Sequence, residues 1–162
     1  MNPLQSLFEA GLSEVDVGVM QHGFAEHGRD YVFIIEDSLR SRPGTYRLTF
    51  THVVELSAKT AVSPEAWGRS WSNDFTDYQR WQAAGEPDGY VFGTKWSLAY
   101  PGFSAISDSP LATRWANKLG RPMFAASLQT DLFEILLVFH DAQLELVREG
   151  TATVNQVIFP IE

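Results

Sequence analysis

Strict alternation between apolar and polar side chains constrains this chain more than any other feature. In residues 46–56, Tyr46, Leu48 and Phe50 begin an apolar series that occupies every second position. In residues 90–100, an aromatic series alternates in the same way with small or polar residues. A repeat of two is the period at which successive side chains of a β-strand point to opposite faces. We therefore predict one long strand over residues 46–56 and another over residues 90–100.

Shorter apolar runs predict the remaining strands, over residues 15–24, 31–36, 123–128, 132–139, 144–148 and 154–159. Turn-forming residues at 26–29, 130–131 and 150–151 separate neighbouring runs. Such short connections are typical of antiparallel hairpins.

Three helices are indicated by capping residues followed by apolar residues at helical spacing. They are expected within residues 2–11, 63–84 and 109–120. Several poor helix formers lie between residues 68 and 73, so the firm part of the second helix is expected over residues 74–84.

Together these elements predict a single α+β domain over residues 1–162. Its sheet is curved and largely antiparallel, with about seven strands. About three helices pack on one side of that sheet.

Charge and composition bear on the partners of the protein. The 20 acidic and 12 basic residues give a net charge of −8, which repels nucleic acid and attracts a basic protein partner. The chain has no cysteine, no secretory leader and no apolar run of about 20 residues. We therefore expect a cytoplasmic protein that is not inserted in a membrane.

The sequence offers no motif of a familiar catalytic or metal centre. It has no glycine-rich phosphate loop, no GxSxG and no HExxH, so no cofactor is predicted. His22 and His27 are five residues apart, a spacing that does not bring two ligands to one ion, so no metal site is predicted. His52 falls on the apolar face of its predicted strand, where we expect a buried, hydrogen-bonded histidine.

Two groups of titratable residues allow both a structural and a functional interpretation. His140 and Asp141 lie at a predicted strand end, either as structural and turn-forming residues or as a catalytic base with an acidic neighbour. Adjacent strand residues point to opposite faces, which favours the structural interpretation. Asp74 and Asp77 are three residues apart, which suits either a pair of functional carboxylates or capping carboxylates at a helix start. We favour capping, with Arg80 as the ion-pair partner of Asp77.

The number and spacing of aromatic residues are the most distinctive feature of the sequence. Five of them recur at spacings of three and four along the second predicted helix: Trp67, Trp71, Phe75, Tyr78 and Trp81. Such a stripe either packs on the sheet or forms a binding surface, because tryptophan and tyrosine are common anchors of clefts and interfaces. The candidate binding residues are Trp67, Trp71, Trp96, Tyr100 and Phe103.

The function predicted from these features is a non-enzymatic cytosolic binding or protein-interaction domain with an aromatic-rich binding surface. An inhibitor or immunity-type partner of another protein is one form of this function. The alternative is a small-molecule-binding enzyme that uses an aromatic cleft together with His140 and an acidic residue. Turnover that is lost in His140→Ala while folding is retained would favour the alternative.

Overall fold

A computed structural model describes residues 1–37, 43–92 and 96–147 of the chain. Within these residues the helices are α1 (Pro3–Glu9), α2 (Pro64–Ser70), α3 (Tyr78–Ala83) and α4 (Pro110–Leu119). The strands are β1 (Gly18–Phe24), β2 (Tyr31–Asp37), β3 (Gly44–Thr51), β4 (Glu55–Thr60), β5 (Asp74–Phe75), β6 (Tyr90–Val91), β7 (Ser97–Ile106), β8 (Phe124–Thr130), β9 (Phe133–Phe139) and β10 (Asp141–Leu146).

Eight of these strands form one antiparallel sheet in the order β10-β3-β2-β1-β7-β8-β9-β4. The two short strands β5 and β6 form a separate parallel pair. Strand content is 45% and helix content 22%, so strand dominates. The predicted α+β class with a largely antiparallel sheet is confirmed.

The strand predicted over residues 46–56 is instead two strands, β3 next to one edge of the sheet and β4 at the opposite edge. β3 pairs with β2 and β10, whereas β4 pairs with β9. The extended run breaks at His52, whose φ of 51° is a left-handed conformation. Because only residues 52–54 join these two strands, the sheet has to curl until its ends approach each other.

A second short connection, between β9 and β10, lies beside the connection between β3 and β4. Strands β9 and β10 are separated only by His140, whose N–H donates to the Thr51 carbonyl at 3.0 Å. Val54 N–H donates to the Val138 carbonyl at 3.0 Å, so hydrogen bonds link the two connections. The His52 side chain is exposed at this corner, and the prediction of a buried histidine is therefore wrong. Its left-handed backbone takes it out of the strand alternation.

The strand predicted over residues 90–100 also belongs to two elements, β6 and β7. Within β7 the small residues Ser97 and Ala99 are buried, whereas Trp96, just before the strand, and Tyr100 are exposed. The buried Ser97 and Thr130 hydroxyl oxygens lie 3.0 Å apart and form a hydrogen bond between β7 and β8.

The main core lies on the inner face of the curled sheet. Phe33, Phe50 and Phe139 are fully buried and pack edge to face, with ring centroids 5.8 Å and 4.8 Å apart in the two successive pairs. Pairs of this kind contribute about 0.5–1.5 kcal/mol beyond the area they bury. Leu4 of α1 joins this core. The helix begins as predicted, because the Asn2 side chain accepts the Leu4 N–H at 3.0 Å.

Helix α4 packs on the outer face of the same sheet. Ala112 of this helix forms a buried apolar cluster with Ala125 of β8 and Val138 of β9. The neighbouring residues Ala126 and Leu137 belong to the main core. The helices thus lie on both faces rather than on one side, because the adjacent positions of β8 and β9 are apolar on both faces. The α4 prediction is confirmed in its Ser109 cap and its left-handed Gly120.

The second predicted helix is broken into α2, β5 and α3. Helix α2 starts after Ser63, whose hydroxyl accepts the Ala66 N–H at 3.2 Å. Helix α3 starts after Asp77, whose carboxylate accepts the Arg80 N–H at 2.7 Å, so Asp77 is a capping residue as predicted. Asp74 lies in β5 instead and caps no helix. The poor helix formers end α2 early.

Residues 148–162 lie outside the described part of the chain. The turn predicted at 150–151, the strand predicted over 154–159 and the end of the strand predicted over 144–148 therefore lie outside it, and a single domain over 1–162 stays a prediction. Among the helices of the described residues, none combines the length and the apolar character needed to cross a bilayer.

Candidate functional site

A cleft of about 700 Å³ opens at one end of the curled sheet. Trp67, Trp71 and Tyr90 form the wall contributed by residues 63–92, and Phe133 and Ile135 of β9 are part of the wall contributed by the sheet. The lining is mostly apolar. Its size lies within the range of about 300–1,000 Å³ usual for ligand pockets, which commonly carry a few polar groups on apolar walls.

Helix α2 brings the two tryptophans to this cleft. Trp67 lies within the helix and Trp71 is its C-cap, so the spacing of four residues places both on nearly the same face. Trp67 is 45% exposed and Trp71 is 84% exposed. These two residues of the predicted stripe do not serve as core, because α2 lies over the open end of the sheet and leaves the cleft beneath it.

The sheet side of the cleft carries a histidine that the sequence analysis did not select. His22 of β1 lines the cleft, and its ring centroid lies 4.4 Å from that of Phe133. A register shift between Val19 and Gln21 places His22 opposite Phe33, on the inner face of the sheet. No signal in the sequence marks this bulge, and simple alternation from the buried Val17 and Val19 would place His22 on the opposite face.

His22 is linked to a buried tyrosine behind it. Its Nδ1 lies 2.7 Å from the phenol oxygen of Tyr31, which is only 5% exposed. Burial of the covered part of the His22 ring lowers its pKa, so the imidazole is neutral at neutral pH. Burial also raises the pKa of Tyr31 to about 12, so the phenol keeps its proton. The pair therefore offers neutral polar groups rather than charge.

Two charged residues line the cleft. Lys59 Nζ lies 3.2 Å from Glu134 Oε2 in an exposed ion pair across β4 and β9. Asp74 is exposed and, within the described residues, its carboxylate forms neither a hydrogen bond nor an ion pair. The cleft thus contains one compensated cation and one uncompensated carboxylate.

The other candidate binding residues lie elsewhere. Tyr100, which is 68% exposed, and Trp96 are on the exposed side of β7, and Trp96 covers Gly18. Phe103 is 3% exposed and packs edge to face on Phe33 at 5.8 Å, so it is part of the core. Phe103 continues the buried face of β7 that begins with Ser97 and Ala99, because the register shift between Ala99 and Gly102 adds two residues and so preserves the alternation.

His140 lies at the corner of the sheet and lines a second, smaller cavity of about 350 Å³ beside His52 and Arg121. Its Nδ1 lies 2.7 Å from the Pro122 carbonyl, to which it donates, and its ring centroid lies 5.8 Å from that of His52. The Asp141 carboxylate accepts the Ala142 N–H at 2.9 Å. The enzyme alternative requires His140 in the aromatic cleft, and the geometry separates the two.

Across residues 1–37, 43–92 and 96–147, no three His, Cys, Asp or Glu side chains come together as a metal site would require. The arrangement at the aromatic cleft suits reversible binding, because its walls offer π faces, apolar surface and a few polar groups.

Comparisons with other proteins place the chain in a family. Neither the curated proteins nor the solved structures contain a match to it. A family model described as YxiG-like protein matches residues 3–157, a range that includes every residue of the cleft. Because the match covers nearly the whole sequence, the chain belongs to the YxiG-like protein family.

Proposed function

We propose that this protein is a non-enzymatic binding domain that receives a protein partner at the cleft beneath α2. The observation that carries the proposal is the exposure of Trp71, at 84%, on the rim of a mostly apolar cleft. Tryptophan is enriched among the residues that dominate binding energy, and a central pocket is where such residues act.

The expected gain from covering these rings is large. A tryptophan side chain buries about 150–250 Å², so covering the exposed 84% of Trp71 corresponds to roughly 3–5 kcal/mol at about 25 cal/mol per Å², and covering the exposed 45% of Trp67 to roughly 2–3 kcal/mol. Association and side-chain ordering offset part of that gain. Trp67 and Trp71 together are therefore sufficient to act as the hot spot of an interface of ordinary size.

The sheet side of the cleft supports binding without rearrangement. Ala58 and Lys59 belong to β4, which is paired with β9 along its length, and the Lys59–Glu134 ion pair lies across the same two strands. A surface held in this way loses little entropy on binding. An inhibitor or immunity-type domain that covers part of another protein would work through such a surface.

Charge and composition define the rest of the proposal. The net charge of −8 favours a basic protein over a nucleic acid, and the absence of cysteine suits the cytoplasm. No observation in the cleft favours the enzyme alternative, whose histidine lines the other cavity.

Affinity capture from native lysate with three forms of the protein tests the proposal. The wild type, Trp71→Ala and Tyr100→Ala are compared, and both proteins and small molecules that are retained are identified by mass spectrometry. Trp71→Ala should lose the partner, because the cleft loses its most exposed anchor. Tyr100→Ala removes an aromatic ring that is 68% exposed on the outer side of β7, away from the cleft, and should keep the partner.

Loss of the partner in Tyr100→Ala alone would place the interface on β7 and contradict the proposal. Retention of a small molecule by the wild type in place of any protein would also contradict it. Circular dichroism of each variant checks that folding is intact.

A further inference from the structure

We propose that the occupant of the cleft is an arginine side chain of a basic protein partner, which stacks on the tryptophan rings and pairs with Asp74. This inference rests on the proposed function and adds the chemical identity of the group that is bound. It follows from the rings that remain free, from the balance of charge in the cleft and from the charge of the surrounding segment.

The faces of the two indole rings are available to a ligand. In the described residues neither Trp67 nor Trp71 packs against another aromatic ring, and neither is covered by a cationic side chain. Trp115 provides an internal comparison, because Lys118 lies over its ring at 5.0 Å from the centroid. Within the described residues, one tryptophan is thus covered by a cation of the chain itself, whereas the two cleft tryptophans are not. A cation over a tryptophan face is the strongest form of this interaction.

The charge balance of the cleft favours a cation. Asp74 has no ion-pair partner in the described part of the chain, whereas Lys59 is neutralised by Glu134 at 3.2 Å. His22 adds no positive charge at neutral pH, because burial lowers its pKa. Among the described residues, the lining therefore carries one uncompensated negative charge and two exposed indole rings, a combination that is complementary to a cation and repels an anion.

The segment that forms this wall is acidic as a whole. Residues 63–92 contain five carboxylates and two arginines, and one of these arginines, Arg80, is already 3.9 Å from Asp77. This excess of carboxylates in the segment would steer a basic partner toward the tryptophans.

Arginine fits this combination better than lysine does. The guanidinium group is planar and weakly hydrated, stacks on aromatic faces and pairs with a carboxylate through two parallel hydrogen bonds. The ammonium group of lysine is more strongly hydrated and makes no planar stack. Tryptophan faces next to a free carboxylate match the first group.

The test uses short capped peptides that differ at one position, which is arginine, lysine or citrulline. Citrulline keeps the shape and most hydrogen bonds of arginine but is uncharged. Binding to the full chain is followed by tryptophan fluorescence and by the indole N–H signals in NMR spectra. The arginine peptide should shift the Trp67 and Trp71 signals and bind about five- to thirtyfold more tightly than the citrulline peptide, with lysine in between.

Two pairs of variants locate the contact. Trp71→Leu keeps an apolar side chain without a π face and should weaken the arginine peptide by about five- to thirtyfold, whereas Tyr100→Leu should not. Asp74→Asn should weaken it, whereas Asp88→Asn, with the same change of charge in the same segment but outside the cleft lining, should leave the affinity within about twofold.

Equal affinity for the arginine and citrulline peptides would overturn the inference, and so would shifts confined to signals outside the cleft or the absence of any shift at millimolar peptide. The failure of the proposed function is recognised separately. If the captured partner is lost in Trp71→Ala but the peptides show no preference for charge, the cleft binds a partner through an apolar group. If Trp71→Ala retains the partner, the cleft itself is not the interface.

Discussion

The Nδ1 atom of His22 lies 2.7 Å from the phenol oxygen of Tyr31, so the imidazole at the cleft is tied to a buried tyrosine of the adjacent strand. The phenol keeps its proton, because burial raises its pKa to about 12. Tyr31 therefore donates the hydrogen bond and neutral His22 accepts it. A protonated His22 cannot accept this bond, and its positive charge is disfavoured by the desolvated environment between Phe33 and Phe133.

We expect His22 to titrate below 6.5 in the folded protein. Above pH 6.5, His22 is neutral in both the folded and the unfolded protein, and its contribution to the free energy of unfolding is fully present. As the pH falls from 6.5 through the folded pKa, the unfolded chain takes up the proton first and the free energy of unfolding decreases. NMR titration of the imidazole and urea unfolding across this range measure both effects. His22→Gln should show a smaller decrease, and a His22 pKa at or above 6.5 would contradict the prediction.

Trp71→Ala should change the free energy of unfolding by less than about 0.5 kcal/mol, because the side chain is 84% exposed. Phe33→Ala removes a fully buried ring that contacts Phe50 and Phe103 and should cost about 3–5 kcal/mol. Urea unfolding of both variants provides the comparison. If Trp71→Ala proves as destabilising as Phe33→Ala, then Trp71 is packed in solution and cannot act as an anchor for a partner.

Gly102→Ala should destabilise the protein by about 2–5 kcal/mol. Gly102 has a φ of 94°, and a Cβ built there would overlap the Glu14 carbonyl oxygen, which accepts the Phe103 N–H at 2.7 Å. The matched control is Gly28→Ala, at a φ of 70° with no atom within 4 Å of the added Cβ. The control should cost only about 1–2 kcal/mol. Equal losses in thermal unfolding would show that the contact with Glu14 is absent.

Asp30→Asn should destabilise the corner beside β3 in a pH-dependent way. Burial raises the pKa of the Asp30 carboxyl, but hydrogen bonds from Arg29 at 2.8 Å and from the His52 N–H at 3.0 Å outweigh it, and the pKa is lowered below 3.8. The stabilisation is present above 3.8 and is lost as the pH falls through the folded pKa.

At neutral pH the loss in Asp30→Asn should be about 1.5–3 kcal/mol, the usual value for hydrogen bonds to a charged group. The wild type and the variant should converge in urea unfolding as the pH drops below the folded pKa of Asp30. A difference that stays constant down to the lowest pH would assign the effect to packing rather than to charge.

Much of the local structure could be predicted, because it depends on neighbouring residues. The caps at Asn2 and Ser109 fix the starts of α1 and α4, since each side chain satisfies a backbone N–H within its own first turn. The hairpin between β8 and β9 follows from its turn at Thr130 and Asp131. Trp67 and Trp71 could be predicted as candidate binding residues from their spacing. The period-two pattern does not predict the cleft beside them.

The sequence by itself determined an antiparallel α+β protein with capped helices, because period-two patterns and caps act over a few residues. The tertiary structure decided which face each side chain occupies. The bulge before Gln21 turns His22 into the cleft, and the left-handed His52 divides one predicted strand between the two halves of the sheet. The bulge displaces the register of β1 by one residue, which moves the following side chains to the opposite face, and the left-handed residue ends β3. The pairing partners that stabilise these irregularities are distant in the sequence, so the local pattern does not predict them.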